Sequence, residues 1–161
     1  MNSNFQKFER YEFKYILNKQ LRDQIEKEIS NFMDIDKFAI NNNKYFVRSL
    51  YFDDSSSTEY YKKIDGMLFR NKFRLRTYNI VSKKNNPIFL EIKGRNNQRT
   101  YKKRKIISSD ELFKYEKCDE VDDFKLDDEI ERAFFFQVFR RNIKPKVITD
   151  YWRSPYVSNY D

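Results

Sequence analysis

The sequence predicts an α+β domain whose strands pair a charged face with an apolar face, with helices at the periphery. Three observations predict it. Six stretches alternate polar and apolar residues with the period of a strand. Four more read as helices from their caps and apolar spacing. Finally, 18% of the 161 residues are aromatic, enough for a real core although 36% are charged and mean hydropathy is −0.95; disordered chains are poor in aromatics.

The elements follow in order. "ERYEFKYI", 9–16, puts Arg10, Glu12 and Lys14 on one face and Tyr11, Phe13 and Tyr15 on the other, and reads as a strand. Asn18 caps a helix with apolar positions Leu21, Ile25, Ile29 and Phe32. "NNN", 41–43, is a loop. "YFVRSLYFD", 45–53, is a strand with Ser49, Tyr51 and Asp53 opposite Phe46, Leu50 and Phe52; periodicity does not explain Arg48 on the apolar side. "SSSTEYYKKIDG" is a short helix with a Ser cap and a stop near Asp65 and Gly66. "FRNKFRLRTY", 69–78, places Arg70, Lys72, Arg74 and Arg76 at every second position. After the turn "NNP", 85–87, "IFLEIKGR", 88–95, sets Glu91, Lys93 and Arg95 opposite Leu90 and Ile92. "NNQR" turns the chain into a fifth strand, 100–107. A helix over 109–117, an acidic loop over 119–123, a helix over 127–141 and a sixth strand over 145–153 complete it. The helix 127–141 opens with Asp and Glu and closes with Arg, as the macrodipole favours. No repeat, linker or second domain is visible, so residues 1–161 read as a single domain.

Composition excludes several chemistries. With one cysteine and no histidine, a disulfide framework, a Cys/His zinc site and a Ser–His or Cys–His pair are ruled out. A metal would need oxygen ligands, which favours Mg²⁺ or Mn²⁺. The net charge of +8 points to an anionic partner or substrate. No apolar run spans a bilayer and no signal-peptide core is present, so a cytoplasmic location is expected. Cys118 reads as a free thiol in a polar loop; Trp152 and Phe134, Phe135 and Phe136 read as core or interface aromatics. Ser49, Tyr51 and Asp53 read as structural or as supports for neighbouring site residues.

The charged faces are unusual. A solvated sheet face normally mixes signs, whereas Lys and Arg dominate the third and fifth strands. Crowded like charges are unfavourable across strands unless something anionic neutralises them.

"RYEFKY", "VRSLYFD", "KKIDGMLFRNKFRLRTY", "FLEIKGR", "KKRK" and "PKVITDYWR" occur in one order. In that order they resemble the VTC domain, the polyphosphate-polymerase member of the CYTH-like triphosphate tunnel metalloenzymes. The resemblance runs from about residue 7 to 155. It implies a fold in which antiparallel strands close into a tunnel lined by Lys, Arg and Glu, with helices outside. It implies a reaction in which the γ-phosphate of ATP passes to a growing polyphosphate chain, with Mn²⁺ or Mg²⁺ bridging phosphate oxygens. ATP, triphosphate and polyphosphate are the implied partners, with no specific nucleic acid and no membrane segment.

By the same resemblance, Arg74 and Arg76 stand at the family's RxR motif, Lys93 at its ExK lysine, Lys14 at the lysine of the first strand, and Arg153 after the tyrosine of the sixth. These are the candidate catalytic cations. Arg70, Lys72, Lys102 and Arg104 are candidate phosphate contacts, with Lys103 and Lys105 as the other register of the fifth strand. Glu12 and Glu91 are candidate metal ligands, or orient a lysine or attacking water. The family domain continues past the sixth strand, and six strands are visible where a small closed barrel has about eight. The expectation is an N-terminal portion of the domain, or a tunnel left open or closed by a homo-oligomer. Polymerase, triphosphatase, non-catalytic phosphate binder and nucleic-acid binder all remain open. Arg74→Ala and Lys93→Ala are both expected to abolish binding and leave folding intact.

Overall fold

The computed structural model describes residues 8–39, 42–80, 86–118 and 128–158. In chain order the elements are β1 (Phe8–Arg10), α1 (Lys19–Ile29), β2 (Met33–Ile35), β3 (Tyr45–Asp53), α2 (Thr58–Ile64), β4 (Phe69–Thr77), β5 (Ile88–Asn96), β6 (Arg99–Ile107), α3 (Leu112–Lys117), α4 (Glu129–Arg141), β7 (Lys144–Arg153) and β8 (Tyr156–Ser158). Six strands form one antiparallel sheet in the order β1-β6-β5-β4-β3-β7, and β2 pairs with β8. The fold is α+β with an antiparallel sheet and peripheral helices. Among the described residues the sheet does not close: β1 and β7 are its edges.

Alternation along the central strands separates two faces. One carries Phe52, Phe73, Leu75, Leu90, Ile92 and Ile107 and is covered by Tyr115 of α3 and by Ile130, Phe134, Phe135 and Val138 of α4. Phe134 sets its ring edge-on to Phe52, Phe73 and Phe135. Each such side chain taken fully out of water stabilises the fold by about 1.5–3 kcal/mol, so this layer holds the sheet flat against α4. Helix α4 starts at Asp128, whose carboxylate accepts from the Ile130 and Glu131 N–H groups. It stops at Asn142, with φ of 51°. Lys103 and Lys105 of β6 reach across to Glu129 and Glu131 of this helix. Gly94 is where the Tyr101 ring crosses the sheet: a Cβ there would lie 2.1 Å from it.

Several expectations change. Of the first predicted strand, 9–16, only Glu9 and Arg10 pair, joined by Phe8 before them, with β6. Residues 11–18 have no regular structure, and Tyr11, Phe13 and Tyr15 are exposed. Alternation makes a strand only where a neighbouring strand supplies a ladder. Helix α1 is capped as predicted, Asn18 accepting from the Leu21 N–H at 2.8 Å. However, it ends before Phe32 and buries none of its residues. The β2–β8 pair was not anticipated; three residues are too few for a periodicity to register. Helix α2 is not capped by a serine side chain. Asp54 accepts from the Thr58 N–H, and Asp53 from the Glu59 and Tyr60 N–H groups. Cys118 is buried in the core, its thiol donating to the Tyr115 carbonyl, not held in a polar loop. Phe134 and Phe135 are core, whereas Phe136 and Trp152 are exposed. Arg48 is explained by β7, where Asp150 accepts from it at 2.9 and 2.6 Å. The predicted acidic loop and positions 41 and 85 lie outside the described residues.

Candidate functional site

The face opposite the core carries the cations. Strand register aligns them in rows across the sheet. In one row Lys72 lies opposite Lys93, which lies opposite Lys102. In the next, Tyr51, Arg74, Glu91 and Arg104 face one another. Beyond that come Ser49, Arg76 and Phe89, and at the other end Arg70 opposite Arg95. Neighbouring strands lie about 4.8 Å apart, so three lysines directly opposite one another are held against their repulsion by the fold.

Two arginines are built in firmly. Arg74 is only 4% exposed. Its Nε and Nη2 reach Glu91 Oε2 at 2.7 and 2.6 Å, and its Nη1 donates to the Tyr51 hydroxyl at 3.0 Å. Glu91 is fully buried, and its other oxygen, Oε1, has no hydrogen-bond partner. Arg76 donates to Ser49 Oγ at 3.0 Å and reaches the Tyr151 hydroxyl at 3.5 Å. Ser49 and Tyr51, read from sequence as structural or supporting, thus orient the two arginines. Tyr151 was missed, although its place beside Trp152 on an alternating strand was a usable signal.

The lysines are held differently. Burial comes first in pulling the pKa values of Lys72, Lys93 and Lys102 below the usual lysine value, and like charges add to it. For Lys72 the neighbour is Lys63, for Lys93 Lys14 and Arg74, and for Lys102 Arg104, Arg74 and Arg76. Lys93 is partly compensated by Glu12, 3.1 Å from its Nζ. The register question of the fifth strand resolves here: Lys102 and Arg104 share the face of Arg74 and Lys93, while Lys103 and Lys105 turn to α4.

Other candidates are held less firmly or lie farther off. Lys14 is not on a strand; its side chain is 75% exposed and touches Glu12 at 3.7 Å. Arg153 pairs with Tyr45 at the far end of β7, four residues along β3 from Ser49, or about 13 Å at the usual rise. Its guanidinium lies over the Tyr45 ring. Arg70 turns back to the Met67 carbonyl. Arg104 is exposed, 5.0 Å above the Phe89 ring. Arg95, on the same face as Lys93, donates to the Asn97 carbonyl.

A row of lysines flanked by anchored arginines, with one buried carboxylate among them, is a surface for several linked phosphates. The model of one protein family, the VTC domain, matches residues 9–161. The chain belongs to the VTC domain family. A search of curated proteins finds no match. Membership places the chain in the CYTH-like superfamily and links it to polyphosphate chemistry. No helix among the described residues is long and apolar enough to cross a membrane.

An ion on this VTC face would need oxygen ligands. Among the described residues no group of three or more acidic or thiol side chains gathers to hold one. Glu91 is fully buried; Glu12, partly exposed beside Lys93, is the carboxylate that an ion carried in by phosphates would reach, one carboxylate being the usual mode for Mg²⁺.

Proposed function

We propose that the cationic face binds the phosphates of ATP and polyphosphate, and that this chain serves polyphosphate synthesis from ATP. The observation that supports it best is the Lys72–Lys93–Lys102 row beside Arg74 and Arg104. Evenly spaced cations across adjacent strands match a ligand with repeated anionic groups. A single carboxylate or monophosphate would leave most of them uncompensated.

In this reading an oxygen of the terminal phosphate of the chain attacks the γ-phosphorus of ATP. The new P–O bond forms as the bond from that phosphorus to the β,γ-bridging oxygen breaks, and ADP leaves. The attacking oxygen is already anionic, so no protein base is required; catalysis is alignment and neutralisation. The lysines act as point charges on successive phosphates. Arg76, oriented by Ser49, presents a fork to one phosphate. Arg74, fixed by Glu91 and Tyr51, sets the positive potential beneath it. Mn²⁺ or Mg²⁺, when bound, would neutralise phosphate charge, and Glu12, the partly exposed carboxylate beside Lys93, would be the residue to hold it.

A second reading, phosphate binding without turnover, is favoured by the distance of Arg153 from the row. Hydrolysis of triphosphate would need a carboxylate that can reach water; Glu91 is fully buried, whereas Glu12 beside Lys93 is partly exposed. Calorimetric titration with tripolyphosphate, with and without Mn²⁺ and beside single-stranded RNA, tests phosphate binding. Tripolyphosphate binding lost in a Lys72→Ala/Lys93→Ala/Lys102→Ala variant supports the site. Undiminished binding by that variant refutes it, and RNA that matches tripolyphosphate turns the reading towards nucleic acid. Release of ADP with polymer growth then separates synthesis from binding alone.

A further inference from the structure

Beyond Arg76 the cationic face changes character. Tyr45 of β3, Tyr78 just after β4 and Phe89 of β5 gather there. Tyr78 is edge-on to both of the others, its ring centre 5.5 Å from that of Tyr45 and 5.8 Å from that of Phe89. Tyr45 lies four residues from Ser49, and Phe89 two from Glu91, so alternation sets both on the face of Arg74 and Arg76. Ile106, opposite Phe89 on β6, is 65% exposed on the same face.

Two guanidiniums frame the cluster. That of Arg104 lies 5.0 Å from the centre of the Phe89 ring, and that of Arg153 lies 5.9 Å from the centre of the Tyr45 ring. Both arginines are exposed, and among the described residues neither forms an ion pair with a carboxylate. A cluster that only sealed the end of the sheet would hide its rings, yet Tyr45 and Tyr78 stay half-buried. Aromatic rings and arginine planes are the surfaces on which nucleobases stack. The face therefore offers stacking surfaces at one end and cations for linked phosphates at the other. Phe89 and Lys93 are four residues apart on β5, about 13 Å at the usual rise, a distance that the ribose and phosphates of a nucleotide bridge.

We infer that Tyr45, Tyr78 and Phe89 form the base subsite of a nucleoside triphosphate whose phosphates run over Arg76 towards the lysine row. The base rests on Tyr78 and Tyr45, with the guanidiniums of Arg104 and Arg153 beside it. The γ-phosphate is then the end nearest Lys72, Lys93 and Lys102, and the growing chain approaches from the lysine side. The placing of the phosphates rests on the phosphate-binding reading of this face; the base end has a test of its own.

ATP and ribose 5-triphosphate carry the same triphosphate ester and differ in the base. Each is titrated calorimetrically beside tripolyphosphate, and the ¹⁵N-labelled chain is followed through its backbone amides. ATP is expected to bind about tenfold more tightly than ribose 5-triphosphate. Shifts that ATP produces and ribose 5-triphosphate does not should fall on Tyr45, Tyr78 and Phe89. Arg153→Gln, a change at an exposed position, should weaken ATP about threefold and leave tripolyphosphate unchanged. Tyr78→Leu should bring ATP close to ribose 5-triphosphate. Equal affinity for ATP and ribose 5-triphosphate, base-dependent shifts elsewhere, Arg153→Gln acting alike on ATP and tripolyphosphate, or Tyr78→Leu keeping the tenfold gap would each overturn the base subsite. Tripolyphosphate bound by a chain with no preference for ATP would sink the subsite and leave the phosphate reading standing. ATP bound with base-dependent shifts at the cluster, but no tripolyphosphate binding, would count against the polyphosphate reading alone.

Discussion

Arg74 and Lys93 stand at adjacent positions of the same face, yet truncating them has different consequences. Removing the Arg74 guanidinium takes away the two contacts of 2.7 and 2.6 Å and leaves the fully buried Glu91 with only Arg76, 3.9 Å away. Breaking a buried pair in this way costs about 3–5 kcal/mol. Arg74→Ala is therefore expected to unfold at clearly lower urea concentration, correcting the expectation that its folding stays intact. Lys93 is partly exposed and its partner Glu12 can return to water, so Lys93→Ala should lose tripolyphosphate affinity with stability changed by about 0.5 kcal/mol or less. Urea titrations beside calorimetry check both.

The lysine row also sets a pH dependence. With pKa values pulled below normal in the folded state, Lys72, Lys93 and Lys102 hold fewer protons there than in the unfolded chain over the interval just below the usual lysine value. The unliganded protein therefore gains stability from these groups as pH rises through that interval. A bound polyanion restores the protons. Binding should take up protons at alkaline pH and weaken as pH rises; titrations in buffers of different ionisation enthalpy measure this uptake directly. No proton uptake would mean that the lysines do not contact the ligand.

At the scale of elements, the turn from β3 into α2 is the best-tied junction. Asp54 caps Thr58 and also accepts from Arg141 at the end of α4, at 2.7 Å. Hydrogen bonds from Thr58 and Arg141 outweigh burial and hold its pKa down at about 2, from 3.8. A carboxylate depressed in this way stabilises the fold above its unfolded pKa. That stability should fade as pH falls from about 4 to about 2. Asp54→Asn should unfold more readily at neutral pH and show a flatter stability profile across that acid interval, followed by circular dichroism. Strands β4 and β5 are flanked by partners on both sides and backed by α4, whereas β7 is an edge with nine of its ten residues exposed. Hydrogen exchange should be slowest in β4 and β5 and fast in β7 and α1. Equal protection in β7 would indicate that something covers it in solution.

At the scale of the whole molecule, a net charge of +8, with Lys72, Arg74, Arg76, Lys93, Lys102 and Arg104 on one sheet face, makes polyanion capture a long-range effect. Affinity for tripolyphosphate should fall steeply with added salt. Short triphosphate should displace a bound polyphosphate chain more readily than it displaces RNA, since register spaces the cations for linked phosphates and not for stacked bases.

Much of this was legible in the chain. Period-two alternation fixed β3, β4, β5, β6 and β7 to within a residue or two, because a side chain on a strand has only two faces to choose from. The cationic set Arg70, Lys72, Arg74 and Arg76 was visible for the same reason; helix α1 was visible from its Asn18 cap and apolar spacing, and α4 from the acidic residues at its start and arginines at its end. Alternation says nothing about which strand lies beside which. Register across strands, a long-range matter, set Lys72, Lys93 and Lys102 in one row, chose Lys102 and Arg104 over Lys103 and Lys105, and left Arg153 outside. It also paired Arg48 with Asp150 and buried Glu91 beneath Arg74. The sequence by itself determined the strands, their two-faced chemistry and the taste for anions, all properties of near neighbours along the chain. Only the tertiary structure decided which cations act together, because residues far apart in sequence meet through packing and not through periodicity.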